Sequence, residues 1–162
     1  MALISYLKLK GQKQGEIKGS VTQKGRENKI AVFEVKHEIV SPRDAASGLP
    51  TGKRMHKPLT ILCEIDKATP AMYNVLTQNE NITEWELQFW RPSTAGAETQ
   101  YYTIKLTNAN ISRMQAYTAN SKDPNLMRYP DMITYEFTYQ KIEWTWVDGG
   151  IMADDDWEAP VV

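Results

Sequence analysis

ITYEFTYQKIEWTW, residues 133–146, is the longest β-type pattern in the chain and the stretch on which the fold turns. Ile133, Tyr135, Phe137 and Tyr139 alternate with Thr134, Glu136 and Thr138, the period of a strand with one buried face. From Ile142 the phase reverses, and the apolar groups are Ile142, Trp144 and Trp146, separated by Glu143 and Thr145. A strand cannot move its apolar set to its other face without a cause. Either a bulge near Gln140–Lys141 inserts one residue, or the strand buries one face in its own core and the other against something else. The first apolar set is expected to fill the interior. Ile142, Trp144 and Trp146 then either continue that interior or turn toward a neighbouring subunit.

Outward from this stretch, the same alternation recurs. Residues 82–91 (ITEWELQFWR) place Trp85, Leu87 and Phe89 on one side, with Glu84, Glu86 and Gln88 on the other. Residues 100–106 (QYYTIKL) supply a hairpin partner. Further strands are expected over 3–9, 16–22, 29–40, 59–65 and 109–117. In the second of these Gly19, between Ile17 and Val21, marks a close backbone approach or a bulge. In the third, Val32 and Phe33 are adjacent, so both faces carry apolar groups. Thr69, as cap, and Pro70 signal one short helix, with Met72, Val75 and Leu76 along one face. A helix that short must dock on the sheet. The fold class is mainly β: an antiparallel β-barrel or sandwich with one short flanking α-helix.

Residues 41–58 (SPRDAASGLPTGKRMHKP) form the outstanding loop. It carries three prolines, two glycines and the basic residues Arg43, Lys53, Arg54, Lys57 and, when protonated, His56. Long loops without internal structure are uncommon in compact domains and are usually functional or disordered. Its turn residues favour an extended, partly ordered arm. Arg43, Asp44, Lys53, Arg54, His56 and Lys57 of this arm, with Trp144 and Trp146, are the candidate residues for contacts between subunits.

Composition bounds the rest. The 162 residues fit one domain, and a formal net charge of −1 exerts no global pull toward nucleic acid or membrane. The charge is unevenly spread: residues 1–57 hold 12 Lys/Arg against 5 Asp/Glu, whereas 58–162 hold 7 against 15. The two halves either neutralise each other within the fold or meet between subunits. A single cysteine, Cys63, excludes an internal disulfide framework and reads as a small buried hydrophobe. No segment is long and apolar enough to span a bilayer as a helix. The opening MALISYLKLKG lacks the pattern of a cleaved signal peptide. The chain is therefore expected to be made in the cytoplasm and, if exported, to leave without a cleaved leader.

Chemistry is sparse. His37 and His56 lack metal-ligand spacing, nucleophile elbows and phosphate-cradling loops are absent, and Asp154–Asp156 lack the spacing of a hard-cation site. No cofactor, metal or catalysis is expected. A small barrel with exposed Trp85, Trp90, Tyr101, Tyr102, Trp144 and Trp146 could bind oligonucleotides, and this stands as the alternative function. Against it, the same strands carry Glu84, Glu86, Glu136 and Glu143, which would repel a phosphate backbone.

Taken in order, EIKGSVT (16–22), SGLPTGKRMHKPLTILCEIDKATPAMYNVL (47–76), QYYTIKLTNANI (100–111) and YQKIEWTWVDGG (139–150) resemble the Hcp (hemolysin-coregulated protein) family of type VI secretion systems. The resemblance covers residues 1–150 as one barrel domain, with 151–162 left as a short acidic tail. It implies a hexameric ring with a wide channel and rings stacked into a tube inside a contractile sheath. It also implies a spike protein at the tip, small effector proteins in the lumen, and release into the medium or a target cell. A ring needs two different complementary surfaces on each subunit. The charge asymmetry and the two-faced strands suit such a subunit. The basic arm is expected to meet acidic groups across ring–ring contacts, where charge pairs steer register more than they add affinity.

Overall fold

A computed structural model describes residues 1–159. In chain order the strands are β1 (Ser5–Gly11), β2 (Gly15–Ile17), β3 (Ile30–Lys36), β4 (Ile39–Val40), β5 (Met55–His56) and β6 (Leu59–Glu64). After helix α1 (Thr69–Thr77) come β7 (Ile82–Pro92), β8 (Glu98–Thr107), β9 (Asn110–Tyr117), β10 (Met132–Thr138), β11 (Lys141–Trp146) and β12 (Ile151–Asp156). Ten strands make one antiparallel sheet in the order β12-β11-β8-β7-β1-β3-β6-β10-β9, with β2 beside β1; β4 and β5 form a separate two-stranded ribbon. The ladder is open, with β12 and β9 as its edges, so the sheet is sandwich-like and not a closed barrel.

One continuous core explains why the sheet folds over. Leu7, Leu9, Ile30, Val32, Leu59, Ile61, Trp85, Leu87, Ile104, Ile133, Tyr135 and Phe137 are all buried in a single cluster. They occupy alternate positions on strands spread along the whole ladder, and that shared face can leave water only by closing on itself. Trp85 meets Phe137 edge to face at 5.3 Å, a favoured aromatic geometry. Met72 and Val75 of α1 plug the same core. Pro70 opens the helix as expected, but Thr69 does not cap it: Ala68 holds that place, without a side-chain cap. The Thr69 hydroxyl accepts instead from Asp66 N, at 3.1 Å.

The phase reversal in 133–146 has an internal cause. β10 pairs with β6 and β9, whereas β11 pairs with β8 and β12. The chain turns a corner at Tyr139–Gln140, where Gln140 N donates to Thr107 O at 3.1 Å. It thus leaves one part of the sheet for another, and no neighbour is needed to explain the flip. Tyr139 and Ile142 are both buried in the common core, Trp144 packs against its rim, and Trp146 is exposed.

The adjacent Val32 and Phe33 also resolve locally. Val32 pairs with Cys63 and Glu34 with Leu62, so Phe33 is the extra residue of a bulge and stays exposed. The expected strand over 29–40 breaks into β3 and β4, with His37 and Glu38 between them. The expected strand over 16–22 shortens to β2, and residues 18–29 form a loop. Gly19 within it is a true close approach: a Cβ there would lie 2.4 Å from Lys29 O. Residues 151–156, expected in an acidic tail, form the edge strand β12, reached through left-handed Gly149 and Gly150 (φ 82° and 63°). Of that expected tail, only residues 160–162 lie outside the described residues.

Candidate functional site

The 41–58 loop is an ordered arm. β4 and β5 pair at its base, Arg43 bridges Pro50 further out, and Thr51 N donates to Pro42 O at 3.0 Å. Asp44 builds the tip. Its Oδ2 accepts from Ser47 N at 2.8 Å and from Ser47 Oγ at 2.6 Å, while its backbone O accepts from Gly48 N at 2.8 Å. Gly48 takes the left-handed conformation (φ 71°) that such a turn requires. These bonds from Ser47, side chain first and then backbone, hold the Asp44 carboxyl below its ordinary value. The turn leaves Leu49 64% exposed, with Arg43 and Lys53 also in solvent.

The base of the arm is different. Arg54 does not reach outward. Its Nε and Nη2 donate to the two oxygens of Asp155 on β12, at 2.5 and 2.8 Å, and Nη2 also donates to Asp156 O at 2.8 Å. His56, its side chain only 1% exposed, lies with Nε2 2.6 Å from Asp155 Oδ2 and Nδ1 2.8 Å from Tyr139 Oη. The same hydroxyl is 2.7 Å from His37 Nε2. Trp157 closes the cluster, its Nε1 donating to Tyr139 O at 2.5 Å. The Arg54 guanidinium, hydrogen-bonded to Asp155, holds that carboxyl below its ordinary value, and the bond from His56 acts the same way. Burial, then the nearby His56, lowers the pKa of His37. Burial also pushes the Tyr139 phenol up. Of the basic residues read as a group for ring contacts, Arg54 and His56 are thus satisfied within the chain. Lys57 reaches Glu38 at 3.6 Å in an exposed pair worth little. Among the described residues, Arg43 and Lys53 have no acidic partner, and the tip stands in solvent.

Among the described residues, two apolar surfaces stand out. One is a groove of about 640 Å³ on the outer side of β3, β6, β10 and β9, lined by Phe33, Leu62, Tyr117, Leu126, Tyr129 and Met132. The other lies at the opposite end of the ladder, where Ile151 and Met152 of β12 are 67% and 58% exposed beside Trp146 and Val147. Trp144 and Trp146, read together as interface residues, separate: Trp144 belongs to the core rim and only Trp146 faces out. The Arg91 guanidinium lies 4.4 Å from the Tyr101 ring and 5.3 Å from that of Trp146, within reach of cation–π attraction. The groove was missed because Ala119, Leu126, Tyr129 and Pro130 of its lining come from the 118–131 loop; Leu126 and Tyr129 in that mostly polar loop were the available signal. The aromatic platform of an oligonucleotide barrel is not assembled, since Trp85 is fully buried and Tyr102 packs on the core. Cys63 is buried, which pushes its thiol far above the ordinary range.

Comparison with known proteins agrees with this architecture. The family described as "Type VI secretion system effector, Hcp" matches residues 6–146. The "Major exported protein" of Pseudomonas aeruginosa is 38% identical over 99% of this chain and 99% of its own length. A crystal structure titled "Crystal structure of Hcp protein" superposes with a TM-score of 0.88 at 30% identity, covering 96% of this chain and all of that one. Hcp1 from the E. coli EAEC 042 pathovar superposes at 0.85, with 31% identity over 96% of this chain and 99% of its own. Family match, full-length relative and shared fold lead to one conclusion: the chain belongs to the Hcp family, the secreted tube proteins of type VI secretion systems.

Proposed function

We propose that this chain is a non-catalytic structural subunit that closes into a hexameric ring, and that the rings stack into an exported tube. The observation that carries this reading is the pair of dissimilar apolar surfaces at the two ends of an open ladder, the Phe33–Tyr129 groove and the Trp146–Met152 edge. An isologous dimer uses one patch twice, whereas a ring needs two unlike patches, each fitting the other on the next copy. The arm, with its rigid prolines and free Arg43 and Lys53, supplies the axial contact. Little entropy is lost when a segment already ordered docks. In this reading the tube lies inside a contractile sheath, carries a spike protein at its tip and holds small effector proteins in its lumen. It leaves the bacterial cytoplasm for the medium or a target cell.

Size-exclusion chromatography with light scattering, followed by electron microscopy, tests the ring. A hexamer with rings in projection is the expected result. Tyr129→Asp in the groove and Met152→Asp at the edge should each give smaller species, because either charge would be buried in the closed ring. A monomer at high protein concentration, or rings unaffected by both substitutions, would overturn the assignment of these surfaces.

A further inference from the structure

The two apolar surfaces each carry charge that the chain itself does not answer. At the β12 end, Trp146 lies directly opposite Ile151 in the β11–β12 pair, so their side chains share a face. The exposed Arg91 guanidinium lies 4.4 Å from the Tyr101 ring and 5.3 Å from that of Trp146, and the two rings meet edge to face at 5.8 Å. Such contacts hold a guanidinium in place but supply no counter-charge. Among the described residues no acid supplies it either: Glu98 on β8 is taken by Arg26 at 2.5 Å, and Asp148 makes no ion pair. At the other end, Glu64 is exposed and is the one charged residue among those described that line the Phe33–Tyr129 groove. It also lines an adjoining cavity of about 260 Å³ with Asp66, and neither lining includes a lysine or an arginine. The groove therefore carries uncompensated negative charge, and the edge uncompensated positive charge.

We propose that Arg91 of one copy pairs with Glu64 of the next where the Trp146 edge meets the groove, and that this pair fixes the register of the contact. The inference rests on the ring reading above and adds the two residues that select one alignment of largely apolar surfaces. Apolar contact is non-directional and would tolerate one face sliding along the other. A guanidinium and a carboxylate are strongest as a bidentate pair with fixed geometry, so they single out one placement. Arg91 suits the role on two counts. It is already positioned by two rings, so it loses less freedom on pairing than an unsupported side chain would. Its neighbours are aromatic, and arginine among aromatic groups is the composition that dominates binding at interfaces. Because Arg91 and Glu64 lie on different surfaces, each subunit gives its arginine to one neighbour and its glutamate to the other, as head-to-tail closure requires.

A charge-reversal cycle on the full chain tests the pair. Arg91→Glu, Glu64→Arg, the two together, and Arg91→Glu with Glu16→Arg are compared with the unsubstituted protein by sedimentation velocity over a dilution series. Glu16 is exposed on β2 and outside the groove lining, so the last variant restores net charge without restoring the pair. Each single reversal sets like charges against each other and should raise the concentration for half-assembly about thirtyfold. The double swap should bring it back to within about threefold of the unsubstituted protein, and the Glu16 control should stay as weak as Arg91→Glu. The substituted side chains are exposed, so the circular dichroism of every variant should be unchanged. Arg91→Gln and Glu64→Gln repeat the cycle without added charge, and the double should lose no more than either single. Rings indifferent to the single reversals, a swap no better than the singles, rescue by the Glu16 control, or fully additive glutamine variants would each overturn the pair and leave the ring reading standing. An unsubstituted protein that stays monomeric at high concentration would overturn both.

Discussion

Asp155 accepts from three N–H groups of two side chains, Arg54 and His56. Asp155→Asn keeps the volume but removes the charge that gathers them. A loss of about 2 kcal/mol is expected, the cost of leaving a mostly buried guanidinium and imidazole short of an acceptor, read from the urea midpoint at neutral pH. The pH dependence follows from the lowered Asp155 pKa. The native state holds its carboxyl proton less tightly than the unfolded chain, so the stabilisation is fully present above the ordinary aspartate value. It disappears as pH falls through the depressed one. The difference between the two proteins should therefore shrink only below about pH 4. His37 behaves alike, though it is a base: its pKa is lowered by burial and by His56, so the unfolded chain takes up its proton first. Stability should decline as pH drops below about 6.5, and His37→Gln should flatten that slope in thermal melts. Some residues were legible in the sequence. Cys63 sits in a run of alternating apolar residues, and Gly19 interrupts one. The partners of Asp155 were not legible, since Arg54 lies 101 residues away and no local pattern ties the two together.

At the scale of elements, Gly19 and α1 show what the strands cannot tolerate. A Cβ at Gly19 would press on the Lys29 backbone and on Ile30 Cγ1 at 2.7 Å. Gly19→Ala should displace the start of β3 and cost about 1–3 kcal/mol, measured by chemical denaturation. Met72 is fully buried where α1 meets the core. Met72→Ala should cost about 2–5 kcal/mol, because the helix is too short to survive without that contact and the cavity cannot collapse. The positions of β7 and β8 follow from alternation, because Trp85 with Leu87, and Ile104 with Leu106, point to the core at a period of two. Alternation could not say that 133–146 is two strands with different neighbours. A corner and a bulge produce the same phase reversal in a sequence, and only the pairing partners distinguish them. β12 escaped for the opposite reason: IMADDD reads as solvated charge, and it is a strand because β11 offers it an unpaired edge.

For the whole molecule, charge matters chiefly where it is left free. The basic first half of the chain spends Arg54 on Asp155 and Arg26 on Glu98, and both acids come from the acidic second half. Part of the sequence asymmetry is thus neutralised inside one chain. Among the described residues, the exposed cations of the arm with no acidic partner are Arg43 and Lys53, while Lys57 is exposed beside Glu38. Reversing both to Glu should leave the melting temperature nearly unchanged and weaken stacking at low salt. The effect should fade near the ionic strength at which screening reaches about 8–10 Å. Sedimentation at several salt concentrations checks this. Stacks indifferent to the reversal would remove the arm's cations from the axial contact. Reversal at Arg54 would not be informative in the same way, since it would break the fold's own tether first.

The sequence alone determined the mainly antiparallel β class, the buried face of most strands, the short docked helix and the existence of a built arm, with a resemblance that pointed to the family. These properties are local. Period-2 alternation, Gly and Pro chemistry and helix start signals act over a few residues, and the chain carries them wherever it goes. The tertiary structure alone decided that the ladder stays open, that β12 is an edge strand, that Arg54 and His56 turn inward, and that Phe33 and Tyr129 share a groove. Each depends on which distant segment arrives as a neighbour. That choice is made by closing one apolar face over the whole ladder, and no stretch of sequence contains it.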